Sequence, residues 1–314
     1  MEIPSLLEVI RSILIQPTAP FHEDAVRAEI SRRLAQCPHV SLELDDYKNL
    51  IALYSNGKDR APRYAFAAHM DHPGFVKGEF MGGVSKEYLD RNPPTRDFGE
   101  FAMWDLPAFR VEHSRIYSRA CDDLVGCAVI VAAFQELECT GTEAACYGLF
   151  TRAEEVGLVG ANLLARSGRI PRDVTIVSLE TSSERGGNAR MGAGVVIRVG
   201  DRTSIFDDAA TATLAKLATD KEIPFQRCLM SGGTCEGTIY QLHGYRTTAL
   251  CVALGNYHNC GPDTTIDSEY VSCADVEAMT NLCTTAAQAD ELVDVRAQRV
   301  ESFGAAVEKQ RLLL

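Results

Sequence analysis

What most limits the folds open to this chain is a series of short apolar runs, each breaking off at residues able to bind a cation or move a proton. Arg63 to Ala68 leads into His69, Cys146 to Phe150 into Glu154-Glu155, Val174 to Leu179 into Glu180, and Thr247 to Leu254 into Asn256-Tyr257-His258. Runs of this length and composition predict strands buried on both faces, which occur in sheets covered by helices. Helical spacing alternates with them, at Leu124 to Leu137, Ala161 to Arg166, Asp207 to Thr219, Ser272 to Val293 and Arg296 to Leu312. The pattern predicts an α/β fold, a mixed and mostly parallel sheet sandwiched between helices. In such a sheet ligands sit in the crevice beyond the strands' C-terminal ends, where these polar residues fall.

Ahead of this core, Ser5 to Ile15 and Glu23 to Leu34 predict two helices separated by Pro17-Thr18-Ala19-Pro20. Val40 to Leu44 and Leu50 to Tyr54 flank a turn at Asp45 to Asn49 and read as a hairpin. From Val76 to Ser118 the helical patterns give way to glycines, Pro93, Pro94, Pro107 and scattered aromatics, including the single Trp104. Residues 76–118 are therefore expected to form a short β-rich insertion or flap, and 1–75 with 119–314 the principal domain.

The charge balance disfavours one large class of partner. A net charge of -12 argues against nucleic acid as a partner, because phosphate binding needs a basic face. Neither a basic leader followed by an apolar stretch nor a run of membrane-spanning length is present, so the expectation is a soluble, cytoplasmic protein that binds no membrane. The 11 cysteines contain no C-x-x-C pair and fall largely in apolar runs, which makes them buried thiols of a reducing compartment rather than zinc or disulfide frameworks.

Each strand-exit residue alone has a plain explanation, such as a solvated glutamate or a hydrogen-bonded histidine. Together His69, Asp122, Glu154, Glu155, Glu180 and His258 make up two histidines and four carboxylates, the donor set of two adjacent divalent cations of zinc type. Adjacent glutamates in an extended segment point to opposite sides, so one can bind a cation while its neighbour faces a substrate. His69 and Asp71 project to one side at period two, placing the Asp71 carboxylate to accept from the imidazole. Asp122-Asp123 precedes a helix, and either could cap it. Gly232-Gly233-Thr234 suits a substrate groove or an ordinary tight turn. Arg190 or Arg198 could read an acidic side chain, although the plainer reading of each is a solvated arginine.

These segments carry a resemblance. Ala68-His69-Met70-Asp71-x-x-Gly74-Phe75, Asp122-Asp123-x-Val125-Gly126-Cys127, Glu154-Glu155-Val156-Gly157-Leu158-x-Gly160-Ala161, Gly233-Thr234 and Tyr257-His258 resemble the dinuclear-metal aminopeptidases of the glutamyl aminopeptidase and tetrahedral-aminopeptidase group. Some members are called cellulase-like. The resemblance runs from the first helix to about Ala278 and implies a zinc-peptidase catalytic domain. It makes His69 and Glu180 terminal ligands of one metal, Asp122 the bridge, Glu155 and His258 ligands of the other, Glu154 the general base and Asp71 a catalytic partner. The implied cofactors are two divalent ions, zinc first, with cobalt or manganese as alternatives. The implied substrates are short peptides.

The chain departs from the group in three places. Glu180 stands where aspartate is usual, and the related carboxypeptidases and deacylases carry glutamate there. Lys48 replaces the glycine of the Asp45-x-x-Gly-Asn49 turn. The segment between His69 and Asp122 is much shorter than the usual dimerisation insert, which points to a homo-oligomer as small as a dimer rather than a dodecamer. Three functions stay open at this point: an aminopeptidase, a carboxypeptidase or N-acyl amino-acid deacylase using the same site, and a non-catalytic metal-binding assembly protein. A serine hydrolase is a poorer reading still, since no G-x-S-x-G elbow is present.

Overall fold

The computed structural model describes residues 5–58, 60–184, 189–289 and 291–313. Its first helix, α1 (Leu6–Leu14), opens with a capping box in which Ser5 and Glu8 satisfy each other's backbone N–H groups, and it buries Val9, Ile10, Ile13 and Leu14. After α2 (Asp24–Leu34), strands β1 (Val40–Leu44) and β2 (Leu50–Asn56) pair antiparallel as the predicted hairpin, followed by β3 (Tyr64–His69).

The chain then leaves the main sheet. Strands β4 (Gly74–Val76) and β5 (Glu79–Met81), helix α3 (Lys86–Arg91), and strands β6 (Arg96–Asp97) and β7 (Phe101–Met103) build a separate four-stranded sheet. Phe75, Phe80 and Trp104 pack together at its centre. The hairpin β8 (Arg110–Glu112) and β9 (Arg115–Ser118) pairs instead with the edge of the main sheet. Helix α4 (Leu124–Thr140) buries 13 of its 17 residues and packs against α1 and α8. Its apolar surface goes nearly all round, as a central helix requires.

The remaining units run β10 (Ala144–Thr151), α5 (Val159–Ser167), β11 (Thr175–Ser183), β12 (Val195–Asp201), α6 (Asp208–Asp220), β13 (Phe225–Met230), α7 (Glu236–Leu242), β14 (Thr247–Gly255), β15 (Glu269–Ser272), α8 (Cys273–Ala287) and α9 (Val295–Gln310). The spacing gave no warning of α3, α7 or β15, all short elements of at most seven residues. Strands order as β1-β2-β10-β3-β11-β14-β15-β9-β8, with β12 paired to β14 and β13 to β12.

Within this sheet β10, β3, β11 and β14 are mutually parallel neighbours. Their C-terminal ends therefore open on one edge, where the candidate residues gather. Seven of the 11 cysteines are buried. Among the described residues, no helix is long and apolar enough to cross a membrane.

Candidate metal centre

The six predicted residues meet in one place. His69, Asp122, Glu154, Glu155 and Glu180 line a cavity of about 500 Å³, together with Tyr257. Ligand atoms of His69, Glu154 and Glu180 lie within 4.8 Å of one another, and so do those of Asp122, Glu155 and His258.

Asp122 joins the two groups. One carboxylate oxygen is 3.5 Å from His69 Nε2 and the other 3.7 Å from His258 Nε2. Both histidines are held in the same tautomer. His69 Nδ1 donates to the Asp71 carbonyl at 3.1 Å, and His258 Nδ1 donates to the Gly83 carbonyl at 3.2 Å. A carbonyl can only accept, so in each neutral ring Nε2 keeps its lone pair and presents it to the cluster.

Several sequence expectations change here. The Glu154-Glu155 segment is a tight turn rather than extended chain, with Gly157 and Leu158 both donating to the Glu154 carbonyl and Ala153 at φ 51°. Both carboxylates therefore enter one cavity and diverge only to different ligand groups. The His69 Nδ1–H goes to the backbone carbonyl of Asp71, and 3.6 Å from the same nitrogen lies the Asp71 carboxylate. Its two oxygens accept the backbone N–H groups of Glu154 (2.9 Å) and Glu155 (3.1 Å).

Asp123, not Asp122, caps α4 through Gly126 N, where a Cβ on Gly126 would lie 2.4 Å from the capping carboxylate. Glu180 enters from within β11, which continues to Ser183 instead of stopping at Leu179. Arg190 is exposed, whereas Arg198 is buried and lines the cavity beside Ser182, Gly232, Gly233 and Thr234.

Comparison with known proteins gives the chain a family. The family model described as M42 glutamyl aminopeptidase matches residues 96–282. The chain belongs to the M42 glutamyl aminopeptidase family. It is a metal-dependent peptidase of the aminopeptidase type. A curated protein of Acetivibrio thermocellus named "Putative aminopeptidase" is 27% identical over 279 residues, 71% of this chain and 82% of its own. In fold, the chain is similar to aminopeptidase APDkam598 of the archaeon Desulfurococcus kamchatkensis (TM-score 0.75, 21% identity, 91% and 95% of the two chains). It is also similar to the Pyrococcus horikoshii TET1 peptidase (TM-score 0.73, 22% identity, 90% and 99%), which assembles into a tetrahedron or a large octahedral shell.

As a member of this M42 family the chain needs a site for divalent metal, and the cluster fits one. Glu155 Oε1 and Glu180 Oε1 are buried with no hydrogen-bond partner among the described residues, while His258 Nε2 faces Glu155 Oε2 at 3.2 Å and Asp122 Oδ1 faces His69 Nε2 at 3.5 Å. Such orphaned atoms are costly unless a cation satisfies them. The protonation equilibria say the same. Burial pushes Glu154 well above the carboxylate range against the pull of His69, with Glu155, Glu180 and Asp71 adding repulsion. Burial likewise drives Glu180 to about 8. His258 is drawn down by burial, but Glu155 and Asp122 more than reverse this and raise it to about 9. A protein-only site with so many carboxylates must retain protons in place of metal.

Several supporting residues carry no sequence signal because they act on the backbone. Asn49 Oδ1 accepts the N–H of Arg152 and Glu23 Oε1 that of Ala153, so with Asp71 three side chains capture four consecutive N–H groups from 152 to 155. Arg152 also pairs with Glu23 at 2.6 Å. Glu269, at the start of β15, accepts from Cys121, Asp122 and His258. A charged residue heading a buried strand is the only local signal that Glu269 offered.

Proposed function

We propose that the cluster holds two divalent cations, zinc first and cobalt or manganese as alternatives, and hydrolyses N-terminal residues from short peptides. The observation carrying this reading is the Asp122 carboxylate, which spans the two histidines with one oxygen toward each. His69 and Glu180 would complete one cation's protein ligands, and Glu155 and His258 the other's. When bound, such cations supply Lewis acidity, polarising a carbonyl and lowering the pKa of water.

The remaining work falls to the protein. Glu154 lies within 4.8 Å of His69 and Glu180 and could itself ligate. As the remaining carboxylate lining the cavity, it is assigned here to accept the attacking water's proton and return it to the leaving amine. Asp71 holds the turn that aims Glu154 and Glu155. Small residues Gly232 and Gly233 leave room for a peptide backbone along the cavity wall. Arg198, with its Nε unpartnered among the described residues, offers a buried positive charge to an acidic N-terminal side chain. The likeness to the TET1 peptidase supports a homo-oligomer, a dimer being its smallest form.

A buried arginine would also serve a carboxypeptidase by reading a terminal carboxylate, and one experiment separates the two. Metal-loaded protein is incubated with free, N-acetylated and C-amidated versions of one tripeptide. Cleavage of the free and amidated forms, with the acetylated form intact, is the expected result. Cleavage of the acetylated peptide with sparing of the amidated one would replace the aminopeptidase reading.

A further inference from the structure

The four-stranded sheet between His69 and Asp122 has no part in the chemistry described so far, yet it reaches one ligand directly. Its core of Phe75, Phe80 and Trp104 is tied to α3 by Trp104 Nε1, which donates to the Asn92 carbonyl at 2.8 Å. From this block the Gly83 carbonyl accepts from His258 Nδ1 at 3.2 Å. Three further contacts grip the loop that follows His258. Tyr88 Oη donates to the Gly261 carbonyl at 2.7 Å, Arg91 Nη1 to Thr264 Oγ1 at 2.6 Å, and Asn92 Nδ2 to the Thr264 carbonyl at 3.0 Å. Among the described residues, His258 is the one member of the six whose side chain is hydrogen-bonded to this block.

The loop needs such support. His258 sits in the left-handed region at φ 53°, flanked by Asn256 at 53° and Asn259 at 60°. Non-glycine residues hold that conformation only where surroundings impose it.

We propose that the 74–104 block is a positioning element for the Asp122, Glu155 and His258 ligand set, acting through the Gly83–His258 hydrogen bond and the grip of Tyr88 and Asn92 on the following loop. The carbonyl keeps the proton on Nδ1, so Nε2 faces the cluster as a lone pair, and the grip holds the ring at that angle. This inference rests on the two-cation reading above. It implies that the two cation sites differ in their dependence on the block, since His69, Glu154 and Glu180 are held by the main sheet and its loops.

Two variants loosen the block without touching a ligand. Gly82 has φ +140°, and a Cβ there would lie 2.6 Å from Pro73 Cβ, so Gly82→Ala must move the turn that carries the Gly83 carbonyl. The double variant Tyr88→Phe with Asn92→Ala removes two loop contacts and stands in if Gly82→Ala folds poorly. Metal-free full-length protein is titrated with zinc by calorimetry, with His258→Ala marking which binding step belongs to the His258 site.

The expected result is two binding steps in the wild type. In the variants, the His258-dependent step should weaken about 10–100-fold while the other stays within twofold. Unchanged affinity in both steps, or equal weakening of both, overturns the positioning role while leaving two-cation binding intact. Failure of the wild type to take up zinc overturns the metal reading itself, and this inference with it.

Discussion

Glu269 accepts the backbone N–H of His258 at 2.8 Å, eleven residues downstream of it in the chain. Its other oxygen takes the N–H groups of Cys121 (2.7 Å) and Asp122 (3.1 Å), so one fully buried carboxylate sets the spacing between two candidate ligands. Glutamine in its place would turn one end of this acceptor into a donor facing backbone N–H groups. Glu269→Gln should therefore lower zinc affinity about 10–100-fold, read by competition with a chelator. Wild-type affinity in a folded variant would show that the loops hold their spacing without this carboxylate.

Glu154→Gln tests the division of labour inside the cavity. The amide keeps the shape but cannot take a proton from water, so kcat should fall by about 10²- to 10⁴-fold while two equivalents of zinc remain bound. Loss of a zinc equivalent would instead make Glu154 a ligand.

Metal removal should leave a protein whose stability falls as pH rises. Folding raises the proton affinity of Glu180 from 4.5 to about 8, Glu236 from 4.5 to about 7, and His258 from 6.5 to about 9. In every case the folded chain binds the proton more tightly than the unfolded chain. The associated stability is fully present below the unfolded values and is lost as pH climbs through the folded ones. Thermal melts of chelated protein should show Tm dropping between pH 5 and 9, and saturating zinc should flatten the curve. A chelated Tm that is level or climbing over this interval would contradict the electrostatic account of the site.

The parts of this molecule legible from its sequence are those with a local pattern. The four parallel strands announced themselves as apolar runs, and His69, Glu155 and His258 as the polar residues at or just beyond their exits. Glu269, Glu23 and Asn49 left no comparable mark, because their task is to accept backbone N–H groups from segments far along the chain. The Glu154-Glu155 geometry was misjudged for a related reason. Gly160 N closes back onto the Arg152 carbonyl at 2.8 Å, and a Cβ on Gly160 would lie 2.4 Å from that oxygen. This close return, rather than strand alternation, directs both carboxylates inward.

Arg198 is the residue for which burial changes the functional meaning most. Strand β12 is buried on both faces, so the arginine within it has no solvated side to turn toward. It is 3% exposed, and its Nη1 donates to Ser182 Oγ at 3.3 Å. Its charge is favoured by Glu180, the residue assigned to metal, and by Asp201, whose oxygens already accept from Thr203, Ser204, Cys235 and Thr238, so the unmatched Nε remains available to a substrate carboxylate. Arg198→Met keeps much of the aliphatic bulk and removes the charge. On dipeptide amides with N-terminal Glu, Asp, Leu or Ala, wild-type kcat/KM should favour the acidic pair, and the variant should lose about 10- to 100-fold on that pair alone, the scale of one charge-assisted hydrogen bond. An equal loss on all four substrates would place Arg198 in the support of Glu180 instead, and no loss on any would leave its charge without a role in selection.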